Sequence, residues 1–187
     1  MTNLRDASLI GISGVMGAGK DTVANLIVAL RPRELRRYAF ATPLKEGVKS
    51  MFGWTSDQIE DRTFKEAIDP RWGFSPRKAM QLLGTEYGRN LLRDDIWMHA
   101  ARNFHEESVH QQKGTLITDV RFENEAEWIR SVAGSVIVHV INPEHDYTVP
   151  VKHVSENGVL VGYGDIRVVN DKRDGLEGLQ EILRKMW

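Results

Sequence analysis

The chain has 187 residues, enough for one domain with an inserted segment, and 41% of them are hydrophobic, which suffices for a buried core. Lys and Arg total 25 against 26 Asp and Glu, and the resulting net charge of −1 argues against bulk electrostatic binding of a nucleic acid polymer. The absence of cysteine excludes disulfides, thiol catalysis and zinc–thiolate sites. The first apolar run is too short for a signal peptide or a membrane span, so we expect a cytoplasmic protein with no membrane partner.

The first predicted elements are a strand, a glycine-rich turn and a helix. Residues 8–13 form a short apolar run typical of a buried strand, and residues 21–30 carry apolar side chains at helical spacing. An aromatic segment at 37–41 predicts a second strand. Thr42 and Pro43 then predict the N-cap and the first residue of another helix.

The middle of the chain, about 43–113, is predicted to consist of helices and loops. Ser75 followed by Pro76 indicates a helix start, and Asp94 or Asp95 is expected to cap a later helix. A stretch of roughly 70 residues is far longer than a usual connection between strands. We therefore interpret it as a helical insertion, placed at the rim where ligands bind the carboxyl ends of parallel strands.

The last third of the chain alternates apolar strands with helices. Strands are predicted at 114–120, 135–141 and 165–169, and helices at 124–132 and 176–186. This alternation favours a parallel sheet covered on both faces. With the two earlier strands, it predicts a five-stranded α/β fold of three layers.

The turn after the first strand matches a phosphate-binding loop. Gly14, Gly19 and Lys20 fit the pattern G-x-x-x-x-G-K, with a strand before it and a helix after it. Successive backbone N–H groups must turn toward a phosphate there, and side chains at the tight positions would block them. The loop residues that we expect to bind ATP are Gly14, Gly17, Ala18, Gly19, Lys20, Asp21 and Thr22.

Asp21 departs from the standard motif, in which a Ser or Thr hydroxyl follows the lysine and binds Mg²⁺. A carboxylate is also a hard oxygen ligand, so Asp21 could hold Mg²⁺ directly or through water. The alternative is that Asp21 only stabilises the positive end of the helix. Thr22 keeps a hydroxyl near the phosphates in either case.

Seven segments follow one another along the chain: GVMGAGKDTVA, FATPLKEGV, SPRKAMQLLGTEYGR, DDIW, TDVRFENEAEWI, HVSENG, and DIRVVND with GLEGL. In that order they resemble the bacteriophage deoxynucleoside monophosphate kinase family, a branch of the P-loop nucleoside monophosphate kinases, from Gly11 to about Leu183. The resemblance implies a single P-loop kinase domain, with a core of 1–42 and 114–187 and an acceptor-binding insertion. It also implies Mg²⁺-assisted transfer of the ATP γ-phosphate to a deoxynucleoside 5′-monophosphate, in the host cytoplasm if a phage encodes the chain.

The resemblance assigns the acceptor phosphate, or the transferring group, to Arg77, whose guanidinium matches phosphate oxygens. Gln81 lies one helical turn beyond Arg77 on the same face, and we expect it to line the nucleoside pocket with Gly84 and Thr85. In the resembled family an aromatic residue at Trp97 lines the base pocket, although an aromatic residue at helical spacing also suits a core. Lys45 and Arg62 are further candidates for contacts to the acceptor phosphate.

Asp119 ends the 114–120 strand, where a group that organises Mg²⁺ would sit; it could instead position the acceptor phosphate or act as a base. We expect Arg121 to contact a phosphate and Glu125 to contact the substrate. The alternative for both is an ion network at the start of a helix. Lys20, Arg77, Asp119 and Arg121 are thus the predicted catalytic residues, and Asp21 and Asp119 the predicted metal ligands.

Two other functions stay open at this stage. The chain could be a P-loop kinase for another small molecule, such as dephospho-coenzyme A, or a nucleotide-binding regulatory module without an acceptor. Asn170 begins N-D-K-R-D, which only superficially resembles the N-K-x-D guanine motif of GTPases. His153, Ser155 and Glu156 are interpreted as a turn or a loop on the nucleotide side. If the chain forms an oligomer, we expect a homodimer.

Overall fold

The computed structural model of the protein describes residues 4–31, 34–144 and 158–186. His153, Ser155 and Glu156 lie outside these residues. The chain divides into two compact units, each described by itself below. They are a core unit, 1–39 with 102–187, and an insertion unit, 40–101.

The core unit contains a five-stranded parallel sheet, as predicted. Its strands are β1 (Leu9–Ser13), β2 (Leu35–Tyr38), β3 (Gly114–Val120), β4 (Ser135–Ile141) and β5 (Ile166–Val169), in the order β2-β3-β1-β4-β5. The central strand β1 is buried along its whole length, which explains why it is a continuous apolar run rather than an alternating one. Its last residue, Ser13, pairs with Val120 and His139, so the carboxyl ends of three strands meet where the glycine loop begins.

Helices cover both faces of this sheet. On one face, α1 (Lys20–Leu30) and α8 (Gly175–Lys185) share a hydrophobic core with Ile10 and Ile12 of β1. On the other face, α7 (Glu123–Ser131) brings the side chain of Ile129 so close to Gly11 that an added Cβ would lie 2.8 Å from Ile129 Cδ1. Side chains of alternating residues along β1 thus pack against different helices, and a three-layer fold results.

The insertion unit is helical, as predicted. It contains α2 (Thr42–Phe52), α3 (Ser56–Glu60), α4 (Arg62–Glu66), α5 (Pro76–Gln81), a π-helix (Leu82–Leu92) and the start of α6 (Ile96–His110). Ser75 caps α5 by accepting a hydrogen bond from the backbone N–H of Lys78 at 3.2 Å. The π-helix was not predicted, and helices of this rare type occur frequently at functional sites.

Several predicted boundaries are wrong by a few residues. The second strand is Leu35–Tyr38 rather than 37–41, because its pairing with β3 begins at Leu35, whose side chain is buried. Thr42 is the first residue of α2 and not its N-cap. The helix predicted at 124–132 is Glu123–Ser131, and β5 begins one residue after Asp165. These errors fall at the ends of elements, where local sequence patterns say least.

Candidate active site

The glycine loop joins β1 to α1 and has backbone angles that side chains rarely adopt. Gly14, Gly17 and Gly19 have φ values of 150°, 80° and 94°. A Cβ on Gly14 would lie 2.5 Å from the carbonyl oxygen of Val140, so this position has no space for a side chain. Because α1 begins at Lys20, the loop leads directly into the positive end of a helix, where anions bind.

Lys20 lies across this loop. Its ammonium donates hydrogen bonds to the carbonyl oxygens of Gly14 at 2.7 Å and Val15 at 2.9 Å. Burial and, to a smaller extent, the positive charge of Arg121 lower the pKa of Lys20 to about 8, against the opposing effects of Asp21 and Asp119. The charges of Asp21, Asp119 and Arg121, the other predicted site residues in this region, therefore all act on Lys20.

Asp21 lies in the first turn of α1, with 91% of its side chain exposed. One carboxylate oxygen is 3.9 Å from a guanidinium nitrogen of Arg37, which lies on β2. Its negative charge at this end of α1 is favourable to the helix dipole. The magnesium and capping interpretations of Asp21 both stay predictions.

Asp119 and Arg121 lie at the carboxyl end of β3, next to the strand that leads into the glycine loop. Asp119 is only 8% exposed. Burial of Tyr38, together with the negative charge of Asp119, raises the pKa of Tyr38 to about 12. Tyr38 ends the neighbouring strand β2, so these two side chains extend the polar edge of the sheet. Sequence reasoning did not identify Tyr38, because the strand predicted at 37–41 placed this residue near the start of the strand and not at its carboxyl end.

Glu125 has a structural role at the start of α7. Its side chain is 1% exposed, and its carboxylate accepts hydrogen bonds from the backbone N–H groups of Arg121 at 2.8 Å and Phe122 at 3.1 Å. These contacts support the helix-start alternative over direct contact with the substrate. They also hold the backbone of Arg121 at the end of β3.

Two predicted anion-binding residues of the insertion unit form ion pairs with carboxylates. The Lys45 ammonium is 2.6 Å from Glu60, and the Arg77 guanidinium donates a hydrogen bond to Glu66. Arg62 begins α4 and is exposed. Arg77 is in the first turn of α5, as predicted, where the helix end also favours an anion.

A cavity of about 160 Å³ lies within the insertion unit. Trp97 lines it, and its indole N–H donates a hydrogen bond to the carbonyl oxygen of Gly84 at 2.8 Å. Gln81 ends α5, while Gly84 and Thr85 lie on the π-helix. The other lining residues are Pro43, Leu44, Gly47, Val48, Met51, Leu83, Tyr87, Gly88 and Leu92. The cavity wall is therefore largely apolar, which suits a flat ring system better than a phosphate.

Sequence reasoning also missed the role of Asn170. Its side-chain N–H donates a hydrogen bond to the carbonyl oxygen of Ala18, at 2.8 Å, inside the glycine loop. The available signal was a polar residue directly after the last predicted strand. In parallel sheets such positions lie at the ligand-binding edge.

Comparisons with known proteins establish the family. Residues 54–182 match the family model of deoxynucleotide monophosphate kinases. The chain is also 31% identical to the deoxynucleoside-5′-monophosphate kinase of Escherichia phage T5, over 92% of each chain. It belongs to the deoxynucleotide monophosphate kinase family. The predicted family and the predicted kinase activity on deoxynucleoside monophosphates are thereby confirmed.

One further comparison concerns the family and another the fold. A putative deoxynucleotide monophosphate kinase of Acanthamoeba polyphaga mimivirus is 34% identical over 69% of this chain and 72% of its own length. An unliganded crystal structure of a sugar kinase from Janibacter sp. HTCC2649 is 12% identical, with a TM-score of 0.51 over 96% of this chain and 94% of that one. At this identity the likeness shows the fold alone, and it confirms the predicted α/β kinase fold.

None of the helices in the described part of the chain has the length and hydrophobicity that a membrane span requires.

Proposed function

We propose that this deoxynucleotide monophosphate kinase binds ATP at the glycine loop of its core unit and binds the acceptor deoxynucleoside monophosphate through its insertion unit. The reaction is transfer of the γ-phosphoryl group to the acceptor phosphate, which yields ADP and a deoxynucleoside diphosphate. The observation that carries the ATP assignment is the Lys20 ammonium, held across the loop by the carbonyl oxygens of Gly14 and Val15. A cation already held at a glycine loop of this motif is preorganised for a polyphosphate.

The loop supports binding of ATP in two ways. Gly14 and Gly19 supply the left-handed backbone that lets consecutive N–H groups converge on a phosphate, and Lys20 supplies a positive charge to its oxygens. Ala18 and Thr22 complete the predicted ATP-binding set. Because the pKa of Lys20 is lowered, its charge is poorly compensated in the free protein and a polyphosphate would stabilise it.

The carboxylates at the edge of the sheet suit Mg²⁺, which proteins usually bind through one or two carboxylates, phosphate oxygens and water. Asp119 fits this role because its buried side chain acts electrostatically on Lys20. Asp21 fits contact through water, since its side chain is almost fully exposed. When bound with ATP, the metal ion neutralises charge on the β- and γ-phosphates.

The insertion unit supplies the predicted acceptor contacts. Arg77 would exchange its partner Glu66 for the acceptor phosphate, and Lys45 and Arg62 would add positive charge. Trp97 would stack against the base in the apolar cavity, with Gln81 and Thr85 beside the nucleoside. Gly84 keeps the indole of Trp97 in place through its carbonyl oxygen.

The chemical step needs positioning more than proton transfer. A nucleoside monophosphate is already ionised near neutral pH and is a competent nucleophile, so a strong base is not required. Arg77 and Arg121 would neutralise the acceptor and the charge that spreads over the transferring group. Phosphoryl transfer depends chiefly on such neutralisation and on holding the two phosphates in line.

A coupled assay of ADP release tests this proposal. The four deoxynucleoside monophosphates are compared with AMP, UMP, dephospho-coenzyme A and no acceptor, at fixed ATP and Mg²⁺. We expect turnover with at least one deoxynucleoside monophosphate, far above the rate without acceptor. Turnover with dephospho-coenzyme A alone would assign another small-molecule kinase. Nucleotide binding without acceptor-dependent turnover would indicate a regulatory module.

A further inference from the structure

Asn170 connects the last strand of the sheet to the glycine loop. It directly follows β5, and its backbone N–H donates a hydrogen bond to the carbonyl oxygen of Ile141 at 2.8 Å, which continues the pairing of β5 with β4. Its side-chain amide donates a second hydrogen bond, 2.8 Å long, to the carbonyl oxygen of Ala18. The backbone of Asn170 is thus anchored in the sheet while its side chain contacts the loop.

The Ala18 carbonyl belongs to the same planar peptide unit as the N–H of Gly19. In a trans peptide these two groups point in opposite directions. A hydrogen bond from Asn170 to the Ala18 oxygen therefore directs the Gly19 N–H away from Asn170. Gly19 is the last glycine of the loop and immediately precedes Lys20, so its N–H is one of those that the loop motif turns toward a phosphate.

The close approach of Asn170 also explains why position 19 is a glycine. The φ value of Gly19 is 94°, in the left-handed region. A Cβ at this position would overlap the side-chain amide nitrogen of Asn170. Gly17, in the same loop, has nothing within 4 Å of an added Cβ, so this steric requirement is specific to the contact with Asn170.

The turn after Asn170 is held by its own contacts. The carboxylate of Asp171 accepts hydrogen bonds from the backbone N–H of Arg173 at 3.0 Å and from its guanidinium, whose Nε lies 2.9 Å away. These bonds to Arg173 lower the pKa of Asp171 to about 2, so the carboxylate stays charged at neutral pH. Asn170 therefore approaches the loop from backbone fixed on both sides, by β4 before it and by this turn after it.

We propose that Asn170 is a positioning residue for phosphate binding: it orients the Ala18–Gly19 peptide so that the Gly19 N–H faces the nucleotide phosphates. This inference rests on the proposed ATP site. Without the Asn170 donor, the peptide is free to rotate, and rotation would turn the Ala18 carbonyl oxygen toward the phosphates, where it repels them. Preorganised amides lose their advantage for anion binding when they must first be reoriented.

Two substitutions of Asn170 test the proposal by calorimetric titration with ATP and with adenosine. Asn170→Ala removes the donor, and Asn170→Asp keeps the side-chain shape while it replaces the donor with a carboxylate oxygen. We expect ATP affinity to fall about 10- to 100-fold in Asn170→Ala, as for other groups that orient a ligand-binding group, and further in Asn170→Asp. Adenosine has no phosphate, so its affinity should stay within twofold of that of the unmodified protein.

The kinetic constants and a control variant distinguish a role of Asn170 in phosphate binding from a role in the stability of the fold alone. In both variants kcat/KM for ATP should fall while KM for the deoxynucleoside monophosphate stays unchanged, and the melting temperature should stay close to that of the control Asn103→Ala. Asn103 is an exposed residue of α6. Unchanged ATP affinity in both Asn170 variants would overturn the inference, as would equal losses for ATP and adenosine.

The same measurements distinguish this inference from the proposed function. If the unmodified protein binds ATP and both variants lose only ATP affinity, the inference about Asn170 stands even if no deoxynucleoside monophosphate is turned over. If the unmodified protein turns over its acceptor and the variants bind ATP equally well, the inference fails alone.

Discussion

The ammonium of Lys20 lies 2.7 Å from the carbonyl oxygen of Gly14, the glycine that opens the same loop. The side chain of Lys20 therefore reaches back from the start of α1 to the residues that open the loop. Burial makes this position unfavourable for a positive charge, which is why the pKa of Lys20 is lowered. The negative charge of a bound polyphosphate would stabilise the charged form of Lys20.

The pH dependence of ATP binding follows from this arrangement. Lys20 in the free protein loses its proton as the pH rises through about 8, and only its charged form attracts phosphate. We therefore expect ATP affinity to decrease between pH 8 and about 9.5, with proton uptake on binding near pH 8 because bound phosphates raise the pKa. Titrations in buffers of different ionisation enthalpy measure this uptake. Lys20→Met should abolish the uptake, and proton uptake that persists in this variant would assign it to another group.

Removal of the lysine side chain should separate activity from folding. In Lys20→Ala we expect kcat to fall about 100-fold or more, since the charge that we propose to face the transferring phosphate is lost. The melting temperature should change little, because a poorly solvated charge is removed together with its two hydrogen bonds. The coupled assay and a thermal melt measure the two effects. Lys113→Ala is the control, since Lys113 pairs with Glu34 at 2.8 Å on the surface. Full activity in Lys20→Ala would contradict the phosphate role.

Two glycines of the loop should respond differently to alanine. Gly17→Ala costs about 1–2 kcal/mol, the penalty of a left-handed backbone, because space is available there. Gly19→Ala carries the same penalty and also displaces the Asn170 amide, so we expect a larger loss of stability and of ATP affinity. Urea unfolding and ATP titration of both variants measure these losses. Equal losses in the two variants would show that the side chain of Asn170 moves away from a Cβ at position 19 at little cost in free energy.

Substitution of Trp97 should raise KM for the deoxynucleoside monophosphate and leave KM for ATP unchanged. Trp97→Ala removes the ring that lines the cavity, and a lost base stack of about 1–3 kcal/mol raises KM for the deoxynucleoside monophosphate roughly 5- to 150-fold. Trp97→Phe keeps an aromatic ring and loses only the hydrogen bond to Gly84, so its effect should be smaller. Initial rates with each substrate varied provide the two KM values. Trp72→Phe is the matched control, because Trp72 donates to the Phe52 carbonyl at 3.1 Å and does not line the cavity. A change in KM for ATP alone would refute the assignment.

Asp69 should make the insertion unit sensitive to acid. Its carboxylate is buried and accepts hydrogen bonds from Arg71 and Trp54, each 2.7 Å away, and these hold its pKa well below the usual range. Because the folded pKa is depressed, this stabilisation is fully present above the unfolded pKa of about 4 and is lost as the pH falls toward the folded value. Tryptophan fluorescence melts from pH 6 to 2.5 measure the effect. Asp69→Asn should be less stable at pH 6 and less dependent on pH than the exposed-site control Asp57→Asn.

The parts of the fold that sequence patterns predicted best are the most buried. The strands at 114–120 and 135–141 match the structure to the residue, since a central parallel strand is a continuous apolar run with clear ends. The edge strand β2 was predicted two to three residues late, because half-buried strands carry a weaker pattern. The π-helix was not predicted, since the sequence of Leu82–Leu92 has no period that distinguishes it from an α-helix.

The sequence by itself determined the phosphate loop and the family. A glycine loop between a strand and a helix is a local feature, since consecutive backbone groups form it and steric limits on φ select its glycines. The tertiary structure decided which distant residues contact that loop and which charges act on its lysine. Asn170 contacts Ala18 from 152 residues away in sequence, and the charges of Asp119 on β3 and of Arg121 directly after β3 act on Lys20. Strand order sets these contacts, and no local pattern encodes which strand ends will meet.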